Sequence, residues 1–484
     1  MRIKYLVAED RQNLRLLRHT TDKDVIRAVL ASLFKRKFTL QALWEYRKWI
    51  MELTEEELEN NPELAYGRVQ ILILSGDLEG ARLAAERMAD GPYKNMCLLT
   101  IPGMDGETVR EVLEKMDAVA TEYGALTLTA GRPFTANGTW DISEFAPVFL
   151  EQPERATKHL QKFYGEEGEK IYDLMCAEFL YQRDECYQAL VRIVSTLPYL
   201  RAKKNVRLLF AALATEAFVL VINGQAAAAG PMLDNLRNQF AEAGLEAYWP
   251  NADAMAAWAA MYVGDYAHVA RWLREDGPDE HSNFCMLDIF RYMIKIRAYL
   301  IYGKDLAIMA LSQRLLPLLE AGHRHMDSCE LHLLTAMSHQ AEGRTAEALA
   351  HMEQVLMLSE KYGYYRLIAD EGKRAWELLR LYKKEVGTST HLERLLAMTE
   401  KTVSLHPRYL SSHSPEKPRL TPSENRVLHL LAQQYTNAQI AEQTDTAVET
   451  VKKHCKHICA KLGAKTRHQA VSRAAELGML PPDR

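Results

Sequence analysis

Residues 420–463 read LTPSENRVLHLLAQQYTNAQIAEQTDTAVETVKKHCKHICAKLG, and the threonines punctuate them. Thr421-Pro-Ser-Glu424, Thr436-Asn-Ala-Gln439 and Thr446-Ala-Val-Glu449 lie inside the stretch, and Thr466-Arg-His-Gln469 follows it. In a capping box the threonine hydroxyl accepts from the amide three residues on, and the Glu or Gln reaches back to the threonine amide. Pro422 falls at a first helical position, where a missing N–H costs nothing. Gly463 and Gly478 fall where helices end. Four boxes, each ahead of an apolar run, predict four short helices.

Only Thr444-Asp445 separates the second predicted helix from the third, so the two meet at a sharp angle, as in a helix-turn-helix. Ile440, Ala441 and Val451 fall where such a corner needs close approach and core contact. Val448, Val451, Cys455, Ile458 and Leu462 step by three and four, which makes one apolar stripe. Lys452, Lys453, Lys456 and Lys461 occupy the opposite face, and no acidic residue occurs between Thr450 and Arg467. A lysine face alone is ordinary solvated surface. On the second helix of a helix-turn-helix it enters the major groove, where lysine donates to guanine or to phosphate. Thr436, Asn437 and Thr450 lie near helix N-termini, which favour phosphate. Cys455, Cys459, His454 and His457 do not make a metal site, because four side chains within one short helical stretch cannot converge tetrahedrally.

From Glu416 onward the chain has eleven basic and seven acidic residues, a net +4, which leaves −8 on the remainder of a 484-residue chain. A basic end on an acidic body suits contact with a polyanion. This length predicts roughly two to four domains. The seven cysteines form no CxxC pair and read as reduced. The most apolar run, 208–222, contains Glu216 and is too short to span a bilayer. No signal-peptide core follows Met1. A cytoplasmic protein with no membrane partner is expected.

The body is read as all-α. Gly224, Gly264, Gly303 and Gly343 are separated by 40, 39 and 40 residues, each between apolar helical segments. Arg183 lies 41 residues before Gly224, and Gly76-Asp77 has the same form. Ala81, Ala229 and Ala348 follow their glycines by five places, where a second helix would cross the first closely. Such pairs bury their faces only by stacking, which gives a superhelix of TPR-like repeats. The period exceeds the tetratricopeptide norm of about 34 and approaches the range of about 40–47 of other helical repeats.

The expected organisation is a helical, TPR-like region over 1–125, an irregular insertion over 126–165, repeats over 166–403, a linker over 404–419 and the helix-turn-helix domain over 420–480. The insertion rests on LTLTAGRPFTANGTWDISEFAPVF at 126–149, rich in poor helix formers. Arg132, Asn137 and Trp140 in it are effector-contact candidates; the other reading is a structural plug. The linker rests on SLHPRYLSSHSPEKPR at 404–419, with its three prolines and four serines.

These features carry a resemblance. Leu420-Thr-Pro-Ser-Glu424, Asn437 to Glu442, Thr450-Val-Lys-Lys-His454, Lys461-Leu-Gly463, Thr466-Arg467 and Gln469-Ala-Val471 resemble the LuxR-type helix-turn-helix family. The resemblance implies that Lys452, Lys453 and Lys456 lie over bases and that Thr436, Asn437, Thr450, Lys461 and Arg467 lie nearer the backbone. It implies a homodimer on DNA, joined through the fourth helix at Ala470 and Ala474, and RNA polymerase as a partner. Two positions depart from the family pattern. Thr446-Ala447 stands where an apolar residue and serine are usual, which puts the expected cap at Thr446, and Glu449 replaces a small residue. The body, above all Gly363-Tyr-Tyr-Arg-Leu-Ile-Ala-Asp-Glu-Gly372 and the stretch from Trp49 to Met88, resembles the repeat region of MalT-like regulators. The sequence contains no GxxxxGK[ST], so the ATP module of that family is not carried over, and no cofactor is expected. The resulting expectation is a transcriptional regulator, an activator, that binds double-stranded DNA under control of a small-molecule or protein effector. The alternative is an adaptor whose array docks a partner while the tail tethers it to DNA. No nucleophile–base grouping suggests an enzyme.

Overall fold

The computed structural model describes residues 6–35, 38–102, 141, 143, 146–243, 248–280, 283–411, 420–462, 464, 466–476, 479 and 480. The chain divides into two compact units, Met1–Ser411 and Ser412–Arg484. Every regular element among the described residues is helical.

In the first unit a left-handed residue recurs at intervals of about twenty or about forty positions. Asp184, Lys204, Gly224, Gly264, Gly303, His323, Gly343 and Gly363 have φ between +51° and +78°. Each such residue turns one helix into the next. The repeat near Arg183 therefore turns on Asp184, one residue later, which makes its interval to Gly224 match the others. Ala189, Ala229, Val269, Ile308 and Ala348, five places after alternate turns, are wholly buried.

Helices alternate in character. Val206–Ile222 buries all but four of its seventeen residues, because it is apolar on every side and other helices cover it. Ala226–Glu242, which follows, buries only Ala226, Ala229, Leu233, Leu236 and Phe240, one stripe at helical spacing. The pair Ile289–Tyr302 and Asp305–Ala321 repeats this division of inner and outer helix.

The segment 363–372 is enclosed. Arg366 pairs with Asp370 and reaches Asp184 at 3.3 Å, 182 residues away in sequence. Gln182 Oε1 accepts from the Leu367 amide at 3.0 Å, and Tyr262 donates to the Asp370 carbonyl at 2.8 Å. Helices of successive repeats thus converge on one short helix, Tyr365–Ala369.

Two boundaries are corrected. The stretch 126–165 is not irregular at its far end, since Ala146–Glu151 and Pro153–Tyr164 are helices. Pro153 opens the second at a position that lacks an amide need, and the charged residues after it face solvent. Asp141 accepts from the Met326 amide at 2.7 Å. Arg132, Asn137 and Trp140 lie outside the described residues.

The linker expected from 404 does not begin there. Helix Thr390–Leu405 runs through its start, and Tyr409 and Leu410 are buried in the first unit. His406 Nε2 lies 2.7 Å from the Val221 carbonyl, Tyr266 donates to the Arg408 carbonyl at 3.0 Å, and Arg374 donates to that of Leu410 at 2.8 Å. Proline and serine content signalled a loose tether, but the Tyr409-Leu410 pair buries enough apolar surface to anchor these residues.

Candidate nucleic-acid interface

The second unit has helices Pro422–Ala432, Asn437–Thr444, Val448–Leu462 and Arg467–Glu476. Two complete capping boxes start the first two. Thr421 Oγ1 accepts from the Glu424 amide at 3.2 Å while the Glu424 carboxylate accepts from the Thr421 amide at 2.7 Å. Thr436 and Gln439 repeat the exchange at 3.4 and 2.9 Å. At the fourth helix Thr466 Oγ1 accepts from the Gln469 amide at 3.2 Å. Gly463 and Gly478, expected as caps, lie outside the described residues.

The third helix does not start from Thr446. The Ala447 carbonyl accepts from the Val451 amide at 3.2 Å, so Ala447 holds the N-cap position. The Thr446 hydroxyl instead meets that of Thr444 at 2.9 Å, and Glu449 pairs with Lys452 at 3.1 Å. Asp445, at φ +51°, makes the sharp turn, and the Thr446 amide returns to the Ala441 carbonyl at 3.0 Å. A carboxyl-bearing residue tolerates this conformation better than most because its side chain is short and polar.

That turn sets the second and third helices against one core of Val427, Leu428, Leu431, Ile440, Ala441, Val451, Ile458, Leu462, Ala470 and Ala474. Two expectations fail here. Val448 is 40% exposed and lies outside the apolar stripe, because it begins the helix beyond the reach of the first. Ala470 and Ala474 are fully buried, so they cannot form a dimer surface. Their small size serves the close crossing of the fourth helix inside the domain itself.

Lys452, Lys453 and Lys456 are exposed on the third helix. Among the described residues Lys453 and Lys456 have no ion-pair partner, and Lys452 has the single bond to Glu449. Lys461 differs. Its ammonium lies 2.6 Å from Glu424, a carboxylate that is 3% exposed. Burial alone would raise the Glu424 pKa, but the Lys461 hydrogen bond and the Thr421 amide outweigh it and hold the group below its ordinary value. Arg467 donates to the Tyr435 carbonyl at 2.9 Å, which pins the connection between the first and second helices. Both cations expected at the backbone thus hold internal bonds. Thr436 and Thr450 are exposed; Asn437 is half-buried, with Cys455 Sγ 3.9 Å from its Oδ1. The internal role of Glu424 was missed, although Thr421-Pro-Ser-Glu424 contained its first half.

Burial pushes the thiols of Cys455 and Cys459 up, away from the thiolate form that metals bind. No group of metal ligands occurs among the described residues. No described helix is long and apolar enough to cross a membrane.

Residues 151–385 match the MalT-like TPR region, and residues 418–474 match the bacterial regulatory proteins of the luxR family. The chain is 27% identical over 270 residues to the HTH-type transcriptional regulator MalT of Klebsiella pneumoniae subsp. pneumoniae. MalT of Klebsiella pneumoniae (strain 342) is 28% identical over 270 residues, and MalT of Cronobacter sakazakii 26% over 269. Each match covers 51% of this chain and 29% of the relative, so the similarity spans less than a third of those proteins. The chain joins a MalT-like TPR region to a C-terminal domain of the luxR family of bacterial regulatory proteins.

Proposed function

We propose that the chain is a sequence-specific DNA-binding transcriptional regulator, an activator, whose reading helix is Val448–Leu462 and whose repeat array receives an effector. One observation carries this reading: Lys452, Lys453 and Lys456 share the exposed face of the second helix of a helix-turn-helix. The luxR family match and the relatives named transcriptional regulators support it. Two copies on an inverted repeat, with RNA polymerase as the further partner, complete the proposal. Its place of action is then the cytoplasm.

A second reading has its own support. An open cleft of about 920 Å³ lies at the end of the array, lined by Trp376, Arg380, Lys384, Glu393 and Glu400 among others. Its mixed charge suits a protein partner, which would make the chain an adaptor tethered to DNA. A stably copurifying protein would favour the adaptor; thermal stabilisation by a small molecule would favour the sensor.

Mapping bound sites across the genome, with Lys456→Glu as control, tests the DNA claim. The wild type should occupy defined sites and the variant should lose them, with affinity falling steeply as salt rises. Binding that ignores salt, or a variant as tight as wild type, would sink the proposal.

A further inference from the structure

The reading face carries one acidic group. Glu449, Lys452, Lys453 and Lys456 stand at i, i+3, i+4 and i+7 on Val448–Leu462, so one stripe holds all four. The Glu449 side chain is 72% exposed and Lys452 57%, and the two pair at 3.1 Å. Any approach that brings the three lysines to base edges brings Glu449 with them, at the N-terminal end of the helix that enters the groove first.

A carboxylate there meets the negative field of the phosphates, and it is an acceptor only. The major groove offers it two donors, the amines of cytosine and adenine. Adenine presents its N7 acceptor beside the amine, which repels a carboxylate. Cytosine carries no acceptor of its own beside the amine, and its paired guanine places O6 alongside for a donor. An acid and a lysine held 3.1 Å apart match that donor and acceptor.

We infer that Glu449 is a base-selecting residue, accepting from the amine of a cytosine while Lys452 donates to the paired or adjacent guanine. The inference rests on the DNA reading proposed above and deepens it.

Selection from random duplex pools, using the full chain, tests it with wild type, Glu449→Ala and Glu449→Gln. Because Glu449 is exposed, both variants keep the fold. The wild type should prefer a C·G pair at one position of its site by about tenfold. Glu449→Ala should lose that preference alone, keep the others, and bind random duplex more tightly. Glu449→Gln should move the position toward adenine, which glutamine contacts through both amide atoms. A Glu449→Ala protein with the wild-type preference at every position overturns the inference and leaves the DNA reading standing. A wild type that enriches no sequence overturns both.

Discussion

Tyr409 donates its hydroxyl to the Glu371 carboxylate at 3.1 Å, and its ring stacks on Tyr262 with centroids 3.8 Å apart. The last residues before the second unit are thereby joined to a buried charge cluster. Arg297, 2% exposed, lies 2.6 Å from Glu330 and pairs with Glu371. Burial pushes the Glu371 carboxyl up even with this guanidinium beside it.

Replacing the shared cation should be far worse than cutting the tyrosine bond. Arg297→Met removes the buried guanidinium that Glu330 and Glu371 share, and should destabilise the first unit by about 3–5 kcal/mol. Tyr409→Phe keeps the stack and loses one bond to a carboxylate, about 1.5–3 kcal/mol. Urea midpoints of the three proteins check the order. An Arg297→Met protein as stable as wild type would contradict the counter-charge role of Arg297.

The twenty-residue spacing gives a second prediction. Lys204 and His323 hold left-handed turns at φ +51° where the equivalent turn at 363 uses glycine, and both are exposed. That conformation costs a side-chain-bearing residue about 1–2 kcal/mol, while glycine's extra chain entropy costs about 0.5–1 kcal/mol. Lys204→Gly and His323→Gly should each therefore stabilise by roughly 0.5–1 kcal/mol. Gly303→Ala should destabilise by about 1 kcal/mol, although a Cβ there meets no neighbour. A lowered urea midpoint in either glycine variant would contradict the assignment.

The same turns explain what was legible in the sequence. Gly224, Gly264, Gly303 and Gly343 announced a forty-residue period because glycine marks positive φ. The intermediate turns at Lys204 and His323 left no such mark, and Gly363 alone does not make a half-period legible. Thr421 and Thr436 announced their helices through complete boxes. Thr446 had the same spacing, but Thr444 took its hydroxyl and Lys452 took Glu449. Ala470 and Ala474 show a different limit: a small residue marks a close crossing without saying which helix crosses it.

Histidines in the array predict an acid sensitivity. His332 Nδ1 lies 2.7 Å from His351 Nδ1, and His339 stacks on His351. Burial, then the neighbouring His351, pushes His332 down to about 4. Burial also lowers His339 and His351. The unfolded chain takes these protons near pH 6.5, whereas native His332 does so only near 4. Its contribution is therefore complete above 6.5 and falls as pH drops through that window. Asp327, pushed up to about 6 by burial, works in the opposite sense, so the total curve is not diagnostic. His332→Gln isolates the effect. Relative to its value at pH 7, its stability should gain on wild type by about 2–3 kcal/mol at pH 4.5. Parallel pH curves for the two proteins would remove His332 as the cause.

The Glu424–Lys461 bond sets Lys461, tied within its own domain, apart from Lys456, proposed above to read DNA. Glu424 holds its proton less tightly in the fold, so its contribution is present above the usual carboxylate range and lost as pH falls through it. Lys461→Ala leaves that buried carboxylate with the Thr421 amide and, 3.9 Å away, the His457 imidazole, and should destabilise the second unit by about 1–2 kcal/mol. Lys456→Ala, at an exposed site, should change stability by less than about 0.5 kcal/mol. On DNA the order reverses. Lys456→Ala should lower the slope of log affinity against log salt by about one, and Lys461→Ala should leave it nearly unchanged. Hydrogen exchange over 422–462 and binding between 50 and 200 mM salt, a range chosen because counterion release is large there, read the two effects separately. If Lys461→Ala lowers the slope while exchange stays as in wild type, Lys461 contacts phosphate and its bond to Glu424 does not hold the fold.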